Sequence, residues 1–187
     1  DLYPDGGEQK IPMGDAKYKF SIRNSEDFIF RAKVCYPYET EARVDICISS
    51  KLLEQGREKV CSIDGEKVES GTVSAGPIQV TSITESLRAA DQVRFDIAIQ
   101  NSGAGDVYAP TVSCEDTEDD FLRRQEQNKV EVEVLRPTGI TCNFADSESN
   151  KGILELDSGS EILTCWMSAE DTIKDKMNIV VRYQYVD

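Results

Sequence analysis

From Gln92 to Asn101 the chain reads QVRFDIAIQN. Val93, Phe95, Ile97 and Ile99 alternate with Arg94, Asp96, Ala98 and Gln100. A helix repeats its faces every ~3.6 residues, whereas a strand repeats every ~2, so this segment predicts a strand with one buried face. The same period recurs along the chain. Tyr18, Phe20 and Ile22 alternate with Lys17, Lys19, Ser21 and Arg23. Phe28, Phe30, Ala32, Val34 and Tyr36 form a second series, and Val44, Ile46 and Ile48 a third. Further strands are expected at Ile78–Ile83, Val107–Cys114, Val130–Val134, Ile140–Phe144, Gly152–Leu156, Glu161–Met167 and Met177–Val186. Turn chemistry separates them: Asn101–Asp106 and Asp157–Ser160 carry the Asn, Asp, Ser and Gly that tolerate turn dihedrals. Helical content is confined to a short turn at Ser49–Arg57 and the charged insertion Glu115–Lys129. The expected class is all-β. About seven short strands in the C-terminal part predict an immunoglobulin-like β-sandwich.

Composition narrows the function. The 187 residues include 35 Asp plus Glu against 21 Lys plus Arg, a net charge of -14. Such a chain repels phosphate backbones, so no nucleic-acid partner is expected. Apolar runs are too short for a transmembrane helix, so no membrane span is expected. There is no histidine, which excludes Ser-His-Asp and Cys-His catalysis and His-ligated metals. With so many acids some carboxylate pair is always at hand, so glycosidase chemistry is not signalled. The chain is not expected to be an enzyme.

The pattern predicts three parts. Residues 1–16 form an extended, Pro- and Gly-bearing N-terminal arm. Residues 17–72 form a smaller Cys-containing N-terminal β module, and the polar stretch Asp64–Gly76 around its end reads as the linker to the sandwich. Residues 73–187 form the sandwich. In the N-terminal module the series ending at Tyr36 and the one starting at Val44 are expected to pair as a hairpin through Glu39–Arg43, and residues 58–63 add a strand. Three or four strands bury too little surface to stand alone, and their edges need cover. The cover can come from the sandwich, from the arm of the same chain, or from a strand of a neighbouring copy. For the last case the assembly strand is Tyr18, Phe20 and Ile22, and a head-to-tail exchange of this kind builds open filaments.

The six cysteines are Cys35, Cys47, Cys61, Cys114, Cys142 and Cys165. An even, dispersed set without a CxxC pair predicts disulfides rather than zinc, and disulfides predict an oxidising, extracellular location. The hairpin register favours Cys35–Cys47, with Cys142–Cys165 inside the sandwich and Cys61–Cys114 joining the two. A rival scheme pairs Cys47–Cys61 and Cys35–Cys114.

Other candidate sites are weaker. Acidic loops at Glu115–Asp120, Asp146–Glu148 and Glu170–Asp175 offer oxygen ligands for calcium. No EF-hand pattern is present, a solvated acidic surface is preferred, and no cofactor is expected. Tyr36, Tyr38, Tyr183 and Tyr185 could form an exposed binding platform, although ordinary sheet filling is the commoner use. Trp166, the only Trp, is expected in or near the core.

The stretch GPIQVTSITESLRAADQVRFDIAIQNSGAGDVYAP (76–110) resembles the opening of CARDB-type modules, immunoglobulin-like sandwiches of prokaryotic surface proteins. The runs LELDSGSEILTCW (154–166) and KMNIVVRYQYVD (176–187) resemble their closing strands. The pattern Cys35-Tyr-Pro-Tyr-x-Thr…Cys47-Ile is similar to secreted archaeal cell-surface proteins that join a Cys-rich β module to a sandwich. The charged insertion at 115–129 departs from the compact pattern, and the family supplies no catalytic residues. The resemblance implies a secreted surface protein with an adhesion or binding role. Together with the incomplete N-terminal module, the leading expectation is an extracellular structural subunit of a filament, pilus or surface layer, assembled through β-strand contacts. Its partner would be itself or another surface protein. The alternative is a monomeric adhesion or ligand-binding module.

Overall fold

The computed structural model of the protein describes residues 10–15, 17, 19, 21, 27, 29–48, 61–89, 92–169 and 173–187. Among these residues ten strands form two antiparallel sheets. The strands are β1 (Cys35–Ile48), β2 (Ile78–Ala89), β3 (Gln92–Asn101), β4 (Asp106–Tyr108), β5 (Lys129–Arg136), β6 (Thr141–Asn143), β7 (Glu148–Ser149), β8 (Lys151–Glu155), β9 (Ser160–Ser168) and β10 (Ile173–Val186). One sheet has the order β1-β10-β5-β8, with β4 pairing further along β10; the other has the order β2-β3-β9-β6-β7. The all-β, two-sheet sandwich expected from the period-two pattern is therefore the fold.

Each inner face is the apolar half of an alternation. Met177, Ile179, Val181, Tyr183 and Tyr185 of β10 lie opposite Val44, Ala42, Thr40, Tyr38 and Tyr36 of β1. Val130, Val132 and Val134 of β5 continue that face. Val80, Ile83, Val93, Phe95, Ile97, Ile99, Leu163 and Cys165 face them from the second sheet, and all belong to one buried cluster.

That cluster contains residues 42–48 as well as 78–185, so the boundary expected between residues 72 and 73 runs through a single core. β1 is not part of a separate module; it is the edge strand of the sandwich, paired over its whole length with β10. The expected hairpin is also replaced. Glu39–Arg43 is no connection, because β1 passes straight through it. The polar run hides an alternation: Thr40 and Ala42 are fully buried while Glu39, Glu41 and Arg43 face solvent. Thr40 occupies the interior because its hydroxyl lies 2.8 Å from the Ile78 carbonyl and 3.0 Å from the Tyr183 hydroxyl, so its burial leaves no unmet polar group. Pro37 is tolerated because odd-numbered residues of β1 point their amides away from β10, as those of Arg43 and Cys47 do; an edge strand can lose that donor.

The disulfides follow from this geometry. Cys35 and Cys47 sit at opposite ends of one strand, about 40 Å apart at ~3.3 Å per residue, and cannot pair. The bonds are Cys35–Cys114, Cys47–Cys61 and Cys142–Cys165, the rival scheme. Cys35–Cys114 anchors the insertion on the outer face of the first sheet, where Tyr108, Ala109, Val112 and Val186 form a small second core. The insertion contains a single 3-10 turn and a helix α1 (Asp120–Glu126), whose N-terminus is capped by Asp119. Of the strand expected at Val107–Cys114 only Asp106–Tyr108 forms. Residues 61–63 are not in a strand, and residues 58–60 lie outside the described residues.

Cys142 and Cys165 are both fully buried and are register partners across β6 and β9. Replacing both by Ala should lower the unfolding free energy by about 3 kcal/mol, the chain-entropy value for a loop of this length. Equilibrium urea unfolding checks this, and peptide mapping of the native chain should return the three pairings above.

Candidate functional site: a strap across the sheet edges

The tyrosines weighed as an exposed platform are sheet filling, the preferred reading, and form the end of the core. Tyr183 and Tyr185 are buried, Tyr36 and Tyr38 pack against the core, and neighbouring rings are about 6 Å apart. The Tyr185 hydroxyl accepts from the Gly105 amide at 2.7 Å, and the Tyr38 hydroxyl donates to the Ala75 carbonyl at 3.1 Å. Burial pushes the Tyr183 phenol up to about 12 against its hydrogen bonds to Thr40 and Ile78. Gly105 is required here: a Cβ at that position would meet the Val186 carbonyl and the Tyr185 ring. These residues seal the sandwich.

The acidic loops have local structural partners. Asp116 accepts from the Ser113 hydroxyl and amide, which hold its carboxyl below the usual range. Asp119 accepts from the Phe121 and Leu122 amides as the cap of α1. Among the described residues no three His, Cys, Asp or Glu converge as a metal site; residues 170–172 lie outside them. On the outer face of the first sheet Arg182 bridges Glu133, Glu39 and Glu131 across three strands. Asp45 pairs with Lys176 and Lys174, which hold its carboxyl low. Trp166 lies half-buried on the outer face of the second sheet, with the Arg88 guanidinium 4.2 Å from its ring centre.

The assembly strand Tyr18, Phe20 and Ile22 lies outside the described residues. Described residues of the arm and of the segment between it and β1 carry exposed apolar side chains: Met13 is 72% exposed, Ile29 87% and Phe30 79%. Strand pairing of the described residues begins at Cys35, preceded only by mutual backbone bonds between Val34 and Asp187.

One cluster was not anticipated. On one flank of the sandwich the edges of β1 and β2 lie side by side, and residues 61–77 cross between them as a strap. The strap starts at the Cys47–Cys61 disulfide. Glu66 fastens it to β2: its carboxylate accepts from the Ser82 hydroxyl and the amides of Ile83, Lys67 and Val68. Desolvation opposes ionisation of Glu66, but these four bonds outweigh it and hold its carboxyl below the usual range. Val73 then makes a one-residue bridge to Ala42 of β1.

Beneath the strap is Glu85. Its side chain is fully buried. One carboxylate oxygen accepts from the Cys47 amide at 2.9 Å. The other has no hydrogen-bond partner and lies 3.5 Å from the Lys67 ammonium, itself only 11% exposed. Lys67 donates instead to the Ser62 carbonyl at 2.8 Å. Burial raises the Glu85 pKa, and the Cys47 amide and Lys67 offset this only in part. The sequence did carry a signal: Glu85 shares the parity of Ile83 and Leu87, an acid at an apolar position. Beside it an open recess of about 520 Å³ is lined by Arg43, Asp45, Lys174 and Lys176 from the sheet and by Ser62 and Asp64 from the strap. Its charges are mixed and largely paired, with Asp45 between Lys174 and Lys176, Arg43 on Glu41 and Lys67 on Glu85.

No family model, curated protein or solved structure matches the chain.

Because the folded state raises the Glu85 pKa, it binds that proton more tightly than the unfolded chain. The associated stability is complete below the unfolded carboxyl pKa of ~4.3 and is lost as pH rises through the folded value. In Glu85→Gln, which keeps an acceptor for the Cys47 amide, this falling component should vanish. Melting temperatures of both proteins between about pH 4 and 8 check it; parallel curves would refute the assignment.

Proposed function

We propose that the protein is an extracellular structural subunit, assembling with copies of itself or with other surface proteins through β-strand contacts. The observation that carries this reading is the arm. Between it and β1 the period-two apolar series at 18–22 and 28–34 are a strand signal, yet Ile29 and Phe30 stand exposed outside the buried cluster of the sandwich. Exposed apolar groups of this kind call for a partner. Three disulfides suit an oxidising compartment, and among the described residues no helix is long and apolar enough to cross a membrane. The resemblance to CARDB-type surface modules supports the extracellular location, and its adhesion or binding role belongs to the second reading below. We assign no catalytic residues, because the carboxylates on the sheet faces are neutralised by neighbouring bases rather than directed into a cleft.

A monomeric ligand-binding module is the second reading. The outer face of the second sheet favours it. Arg94, Asp96 and Thr164 form a hydrogen-bonded row beside Trp166, and an aromatic ring flanked by fixed polar groups suits an uncharged polar ligand such as a sugar.

Electron microscopy and sedimentation separate the two. Assembly predicts polymers that fall to monomers when residues 1–33 are deleted, or when Phe20→Asp, Ile22→Asp and Phe30→Asp are introduced together in the full chain, with the melting temperature little changed. Polymers unaffected by either change would remove the arm from the mechanism. Monodisperse wild-type protein would transfer the weight to the ligand-binding face.

A further inference from the structure

We infer that the flank between β1 and β2 is the acceptor for the arm of a second copy, and that the strap at residues 61–77 occupies it in the isolated subunit. This rests on the strand-assembly reading and names its second surface.

Three observations lead there. The flank brings together the edges of two long strands, of 14 and 12 residues, and long edges are where added strands pair. The strap holds these edges more through side chains than through a backbone ladder, as with Glu66 on Ser82 and Ile83 and Ser74 on the Glu41 amide. Among the described residues three backbone hydrogen bonds join it to them: Arg43 to Thr72, Ser74 to Glu41, and Lys67 to Ile83. Among the same residues its only strand-like contact with β1 is the Ala42–Val73 bridge. Finally, beneath the strap one oxygen of the buried Glu85 is met only by the Lys67 ammonium at 3.5 Å, without a hydrogen bond. Such a group costs free energy wherever water is excluded.

The arm has the complementary features. An incoming strand would pair along β1 beyond Pro37, whose missing amide blunts the edge at its start. The alternate apolar residues Phe28, Phe30 and Ala32, just ahead of the Val34–Asp187 backbone pair, would take the inward positions now held by Val68 and Val73, which pack against the core from the strap. The strap would move aside as a loop, still tethered by Cys47–Cys61. One irregular, locally connected segment is thus exchanged for a regular ladder from another chain.

The test is to lock the strap in the full chain. Ala42 and Val73 are bridge partners, so Ala42→Cys with Val73→Cys provides cysteines opposite each other for a cross-link. The locked protein should melt no lower than wild type and should fail to assemble in sedimentation. Hydrogen exchange on wild type gives an independent reading that needs no variant. On assembly the amides of Lys67 and Ser74 should lose protection, while those of Ile29–Lys33 gain it.

Assembly of the locked protein at the wild-type level, or unchanged strap protection in the polymer, would overturn the acceptor assignment and leave arm-mediated assembly standing. Assembly that survives the arm substitutions would overturn the reading beneath it. An arm protected at all concentrations in a monodisperse protein would show that it pairs within its own chain, which also overturns the proposal.

Discussion

The ladder between β1 and β10 is the constraint on which the fold depends. It joins Cys35 to Val186 and Ile48 to Ile173, the two ends of the described sandwich. β10 is then the interior strand against which β5 and β4 also register. Without β1, β10 would become an edge and the inner faces of Tyr183, Val181 and Ile179 would lose a flank. Pairing so remote in sequence carries a large loop-closure cost before contacts offset it. The Cys35–Cys114 and Cys142–Cys165 bonds oppose that cost by restricting the unfolded chain, and Cys35 lies at the very start of the ladder.

The same ladder organises the charge. The acidic excess of the chain does not fall on the outer face of the first sheet. There Glu39, Glu131 and Glu133 surround Arg182, and Asp45 lies between Lys174 and Lys176. Exposed pairs of this kind contribute little individually, but they remove like-charge repulsion between adjacent strands. Acidic groups outside the sheets serve local structure instead, as Asp119 does at the helix cap and Glu66 does in the strap.

Much of the fold is legible residue by residue. β3 is visible because its apolar alternation is uninterrupted, and the turns at Asn101–Asp106 and Asp157–Ser160 because their composition matches turn dihedrals. The middle of β1 is not, because Glu-Thr-Glu-Ala-Arg looks like a connection when polarity is counted without parity. That error propagates: a false hairpin places Cys35 opposite Cys47 and creates a separate module. The sequence offers no means to choose between surface and sheet filling for the tyrosines, since their rings are closely approached by glycines 76, 103 and 105, which lie before β2 and in the turn between β3 and β4. Glu85 shows only as an acid at an apolar position, and its partners stay hidden because Cys47 and Lys67 come from segments distant in sequence.

The sequence by itself determined that this chain builds antiparallel sheets, where most strands lie, and that cysteines staple it, because alternation and turn composition are local properties. Tertiary structure alone decided that the first strand closes onto the last, which thiols meet, and which polar groups end up buried. Those outcomes depend on which distant segments share a face. Period two fixes the face of a side chain but carries no information about which strand lies beside it.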